Sequence, residues 1–299
     1  MEITPALPTW SRRWHIGTSV RRIVELSSAR VALLGDDGLT IHDLEDDGVV
    51  FRRDGVEDAV ARSGRLVLLE DPETLTVLDP STGEMIGSPI LLPDGPDAIT
   101  LALAVSGEAQ VATAGDDRPV TVHDLSSGRL LASWQDPGEG ITALAFLPDG
   151  RLISGGDDRR IRCWEPTTGA PLPGPLFGMV EGRLWGHSDS VEHLAPFSTA
   201  DGVWRLAAAD GDHTIRVWDL GSGEQIGEAI TAHTSVIRAL VVDGPRLVSV
   251  STAGLLVVHG EDGAVTSTCD LGVTVWGAAL VEGELALGLD DGWGTIALP

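Results

Sequence analysis

The sequence predicts an all-β chain folded as a closed ring of seven four-stranded antiparallel sheets, and three observations carry that prediction. A strand–turn–strand phrase, clearest in IRVWDLGSGEQIG at 215–227, recurs along the whole length. It recurs at a nearly constant interval, averaging about 42.5 residues between His42 and Ala297. Turn formers punctuate every copy, in a chain with 37 Gly and 17 Pro. A period of about 40 to 45 residues holding four short strands belongs to a single seven-bladed β-propeller.

The copies read in order as LTIHDLEDDG from 39, LTVLDPSTG from 75, VTVHDLSSG from 120, IRCWEPTTG from 161, the phrase at 215, LLVVHGEDG from 255, and GTIALP from 294. Their register marks are His42, Leu78, His123, Trp164, Trp218, His259 and Ala297. Thr, Ile, Val and Trp suit a pleated, half-buried surface, and their alternation turns every second side chain toward a neighbouring blade. The closing Gly supplies the positive φ that a short hairpin turn needs. Upstream of the marks another strand and turn stand in VALLGDDGLTIH and RLISGGDDRRIRCW, with Asp36, Asp117, Asp158 and Asp212 each six residues before a mark. A short acid at such a turn accepts hydrogen bonds from nearby backbone N–H groups.

The seventh copy ends without an outer strand, while WSRRWHIGT at 10–18 precedes the first copy with nothing to pair with. Residues 10–18 are therefore expected to complete the last blade and close the ring, which removes two open sheet edges. Because the repeats are continuous, residues 1–299 are taken as one domain despite a length that by itself suggests two.

On these residues the chain resembles the WD-repeat β-propellers, in a degenerate, bacterial form, over essentially its full length. The resemblance implies strands a to d in each blade and, in intact copies, a hydrogen-bonded set of Asp, His, Ser or Thr, and Trp. Residue by residue, His187, Asp212 and Trp218 fit that set, but Ala207–Ala209 leave the hydroxyl position empty. The copy with Ser154, Asp158 and Trp164 lacks the His, and no copy is complete.

Composition narrows the function. The net charge is −25, all 20 cations are Arg, and no Lys or Asn occurs, the last a hint of a GC-rich bacterial genome. Long-range repulsion argues against nucleic acid or an anionic membrane as partner. With no run of 18 apolar residues and no secretory leader pattern, the expected location is cytoplasmic and the expected state a monomer. Cys163 and Cys269 fall in different copies and are expected as two thiols. No Gly-x-Ser-x-Gly, His-Glu-x-x-His, Walker loop or Cys-x-x-Cys is present. Paired acids such as Asp116–Asp117, Asp157–Asp158 and Asp290–Asp291 read first as turn formers. We therefore expect no catalytic, cofactor or metal site, and a non-catalytic scaffold that binds a protein or peptide on one face. The alternative is a propeller enzyme of lactonase or lyase type, with a metal at the channel mouth and His213 or His187 as base.

The resemblance also implies that the residue after the first buried apolar position of strand a points to the mouth of the central channel. Those residues are Arg21, Glu57, Thr142, Glu192, Arg238 and Trp276, with Thr100 in the third copy. Arg21, Arg238 and Trp276 come from blades adjacent in a closed ring, and Trp293, from the last b–c turn, is expected to stand over them. Such an Arg and Trp patch has the composition of an interface hot spot and suits an acidic peptide. A second candidate contact is the insertion before GHSDS, whose Phe177 and Trp185 are apolar for a solvated loop.

Overall fold

A computed structural model of the chain describes residues 9–298, apart from 28, 46–47, 71–72, 93–98, 108, 139 and 173–186. It forms seven four-stranded antiparallel sheets. Blades 1 to 6 occupy residues 20–53, 56–91, 99–134, 141–171, 191–230 and 237–270, each laid down in chain order from strand a at the channel to strand d outside. Blade 7 takes strands a to c from Gly277–Val281, Glu284–Gly288 and Gly292–Ile296 and its outer strand from Trp10–His15. No helix occurs among the described residues.

Strand b of each blade is sandwiched on both faces, so it reads as an unbroken apolar or small run: Val31–Leu34, Leu66–Leu69, Leu152–Gly156, Ala207–Ala209. Strand d meets solvent and alternates, as in Val265–Asp270. The core consists of seven buried clusters, and each is drawn from two neighbouring blades. No blade thus buries its own apolar faces; each does so only against its neighbours.

The closing strand pairs antiparallel with Gly292–Ile296, placing Trp14 opposite Trp293. Their rings stack at 4.0 Å between centroids and 10° between planes. Backbone N–H groups of Ile16 and Gly17 donate to Asp291 O at 3.0 and 3.1 Å, while His15 Nδ1 sits 2.8 Å from Asp291 Oδ2. Blade 7 has glycine where blade 1 passes closest: a Cβ on Gly277 would collide with the Arg21 carbonyl, and one on Gly288 with the Val20 carbonyl.

Pairing moves the last register mark by one residue. Ile296 faces Leu285 just as His42 faces Val31 and Trp164 faces Leu152, so Ile296 and not Ala297 closes the series. Trp293 is likewise relocated. It is the second residue of a strand, not part of a turn, and the alternation there turns its ring into the blade 7–blade 1 core, where it is 0% exposed. Cys163 and Cys269 are separate thiols in blades 4 and 6.

Removing residues 1–18 takes away both the outer strand of blade 7 and the Trp14 stack. The truncated chain is expected to unfold at a lower temperature and over a broader range in calorimetry, and Trp14→Ala alone is expected to cost about 2 kcal/mol or more. An unchanged thermal midpoint for the truncated chain would refute ring closure as the constraint on stability.

Candidate functional site

The channel mouth is built by a recurring local irregularity. In blades 1, 2, 4, 5 and 6 the a–b register slips by one residue directly after the first buried apolar position, between Val20 and Arg22, Val56 and Asp58, Ile141 and Ala143, Val191 and His193, and Ile237 and Ala239. The extra residue is Arg21, Glu57, Thr142, Glu192 or Arg238. A bulge of this kind leaves one residue out of the ladder and re-aims it. In blade 3 the slip falls between Thr100 and Ala102, so Leu101 takes this position and Thr100, opposite Gly115, is one residue early. In blade 7 strand a starts at Gly277, and Trp276 precedes it.

Arg238 and Trp276 meet. The guanidinium carbon lies 5.3 Å from the indole centroid, Arg238 Nε donates to Thr252 Oγ1 at 3.0 Å, and Trp276 Nε1 donates to Asp290 Oδ1 at 2.5 Å. The ring is thereby held from its face and its edge, which sequence reasoning missed because it assigned Asp290 only to a turn. The Arg21 backbone passes close to Gly277, the residue after Trp276. Arg21 is exposed and forms no ion pair among the described residues. Trp293 is absent from the mouth for the reason given above, and Phe177 and Trp185 lie outside the described residues.

The rest of the mouth is acidic or already paired. Glu57 is exposed, and Thr142 Oγ1 donates to Val191 O at 2.6 Å. Burial pushes the Glu192 carboxyl up, against the pull of Arg238. Deeper in the channel wall Arg22 bridges from blade 1 to Asp58 of blade 2 at 2.9 Å. His193 contacts Ile237 O at 3.0 Å, and desolvation lowers its ring to about 4, so it is neutral near pH 7.

The buried polar sets behind this face differ from blade to blade. In blade 5, His187 Nδ1 lies 2.8 Å from Asp210 Oδ2, and Arg216 holds the same carboxylate at 2.9 Å. Asp210, 1% exposed, is therefore the partner, and the Asp212 read from spacing instead receives Ser188 Oγ and the Thr214 backbone N–H. In blade 4, Trp164 Nε1 donates to Ser154 Oγ at 2.9 Å, and that hydroxyl donates to Asp136 Oδ2 at 2.8 Å. Asp136 stands where blade 5 has its His, and Arg162 ties it to Asp158. In blade 6, His233 and His259 flank Ser249 at 2.6 and 2.8 Å, and burial lowers both rings to about 4.

The alternative reading names a metal at the mouth with His213 or His187 as base. Among the described residues no group of three or more His, Cys, Asp or Glu is placed to hold a metal ion. His187 is buried on Asp210, and His213 sits in the b–c turn at φ +71°.

The WD40 family model (WD domain, G-beta repeat) matches residues 128–165 and 178–219, that is, the outer strand of blade 3 with strands a to c of blade 4, and strands a to c of blade 5 with the residues before them. The chain thus carries WD-type repeats within a seven-bladed β-propeller. Protein Notchless of Drosophila melanogaster is 28% identical over 45% of the chain and 34% of its own length. A WD repeat-containing protein of Synechocystis sp. is 27% identical over 52% of the chain and 42% of its own length. The chain spans less than half the length of the curated relatives it matches. Among solved structures, the computationally designed protein Ika8 matches 96% of the chain and 98% of its own, with a TM-score of 0.67 at 20% identity, a likeness of fold alone. WD-repeat propellers are typically protein-interaction scaffolds without catalytic activity, and the relatives are WD-repeat proteins of diverse roles.

Two tests address the buried sets. Ser154→Ala strands the Trp164 N–H and removes one donor to Asp136, and it is expected to cost about 1 to 3 kcal/mol in denaturant unfolding. His193, His233 and His259 have folded values depressed to about 4 from 6.5. Their contribution is complete above about pH 6.5 and is lost as pH falls toward 4, because the unfolded chain takes up protons there first. Stability measured across that window is expected to decline on acidification, with a shallower slope in His259→Phe.

Proposed function

We propose that this WD-repeat propeller is a non-catalytic scaffold that holds an acidic protein segment across the mouth of its channel. The observation that carries the reading is the Arg238–Trp276 stack, fixed by Thr252 and Asp290 beside the exposed Arg21, on a chain of net charge −25. Held in place before binding, these side chains lose little freedom when a partner docks. A carboxylate between the two guanidiniums gains charge-assisted hydrogen bonds, and the indole supplies apolar area. Glu57 and Glu192, on the blades to either side of this arc, repel an acidic segment and so confine it to blades 6, 7 and 1.

The test is direct binding of an array of Glu/Asp-rich peptides, together with capture of partners from the source organism. Trp276→Ala is expected to weaken binding by about 2 kcal/mol. Arg21→Glu is expected to weaken it more at low salt than at high salt, since screening shortens the reach of an exposed charge. Equal binding by wild type, Trp276→Ala and the Arg21→Glu, Arg238→Glu double variant, all with unchanged melting, would remove this face from consideration.

A further inference from the structure

The wedge between blades 7 and 1 contains a cleft of about 300 Å³ that plays no part in the channel mouth. Its origin is visible by comparison with blades 4 and 5. There the last inward-facing position of strand c, turned toward the preceding blade, holds the chain's own indole: Trp164 and Trp218, 4% and 5% exposed. Trp164 packs on Trp134 of the preceding outer strand at 5.6 Å, and Trp218 packs on His187 at 5.2 Å. In blade 1 the same position, opposite Val31, is His42, and Leu33 replaces the hydroxyl that Ser154 supplies in blade 4. The preceding outer strand offers Trp14, whose ring is already committed to Trp293. The position that holds an indole in blades 4 and 5 is held in blade 1 by the smaller His42, and the cleft lies against it.

We infer that this cleft receives an aromatic side chain, of indole size, from a docked peptide. Ile16, Leu33 and Val49 form its apolar walls, and at its base Thr40 Oγ1 and His42 Nε2 lie 3.0 Å apart, a polar pair for one N–H or O–H on the ring. Arg52 stands at the lip. Its ion pair with Asp54 at 3.2 Å joins side chains that are 59% and 81% exposed, so little holds the guanidinium away from a ring entering beside it. Arg238 over Trp276 makes the same contact within the chain. The volume lies at the lower end for ligand pockets, and about half of it suffices to hold a benzene in an apolar cavity. Val49, 57% exposed, carries the apolar wall out to solvent. Thr18 and Ser19, in the loop that leads into Arg21, line the cleft as well. What enters the cleft does not depend on what the mouth binds.

The full chain is titrated with N-acetyl-tryptophanamide, and with N-acetyl-leucinamide as control, while methyl resonances are followed by NMR. Saturable binding of the tryptophan probe is expected, with shifts at Leu33 and Val49 and at least tenfold weaker binding of the leucine control. His42→Trp fills the slot with the chain's own indole and is expected to weaken the probe at least tenfold. Val49→Asp changes an exposed lip residue, keeps the melting temperature, and is expected to do the same. Absence of saturable binding to wild type, shifts confined to residues elsewhere, or equal binding by wild type and Val49→Asp would each overturn the inference. Val49→Asp decides the matter should His42→Trp fail to fold. Loss of acidic-peptide binding at the mouth leaves these outcomes unchanged, so the two sites fail separately.

Discussion

Everything in this ring depends on one pairing, that of Trp10–His15 with Gly292–Ile296. Each of the seven core clusters belongs to two blades, so a blade with a missing neighbour exposes a whole apolar face. The other blade contacts join segments close in sequence and form at modest loop-closure cost, whereas this one joins the two ends of the chain. Its rewards are concentrated accordingly: a stacked Trp pair, backbone bonds from Ile16 and Gly17, and an ion pair from Arg13 and a hydrogen bond with His15 at one carboxylate, Asp291. Asp291 is held below the usual carboxylate range, its burial cost outweighed by His15 and Arg13. Gly277 and Gly288 complete the fit by letting blade 1's backbone pass where any side chain would collide.

Closure also brings the candidate site together. Arg238 of blade 6 and Trp276 at the approach to blade 7 come from consecutive blades, and closure is what brings blade 1, with Arg21, up to them. In blades 1 to 6 the slipped a–b register takes one residue out of the ladder at the channel end. The scaffold can therefore vary that residue from Arg to Glu to Thr without altering the packed strand behind it. Charge on the face is set residue by residue, while the fold is set by the apolar positions two strands away.

The period, the four strands per blade and the closing strand were legible in the sequence, because alternation and spacing survive even where the individual motifs decay. The positions that misled were those where one residue of register matters. Ala297 against Ile296, and Thr100 against Leu101, are single-residue slips that a hydrophobic pattern tolerates and hydrogen bonding does not. Trp293 read as a turn residue because it follows Asp290, Asp291 and Gly292, yet the strand starts at Gly292 and the first alternation drives the indole inward. Asp210 hid behind Asp212: spacing pointed to the second acid, while burial and the reach of His187 select the first.

What the blades share, then, is a constraint rather than a motif. A polar atom buried between two sheets must find a partner, but the chemistry of the partner is free. Blade 4 meets the requirement with Trp, Ser and Asp, blade 5 with His, Asp and Arg, and blade 6 with two neutral His on one Ser. Satisfying hydrogen bonds and filling volume are separate demands, and substitutions that preserve the first need not preserve the second. In blade 6 the relay spans the gap from loop to strand c. In blade 1, Thr40 and His42 pair with each other, and Leu33 stands where blade 4 has its hydroxyl. A degenerate repeat can keep its strands paired and still acquire a recess, because the backbone ladders do not depend on which side chain fills the wedge.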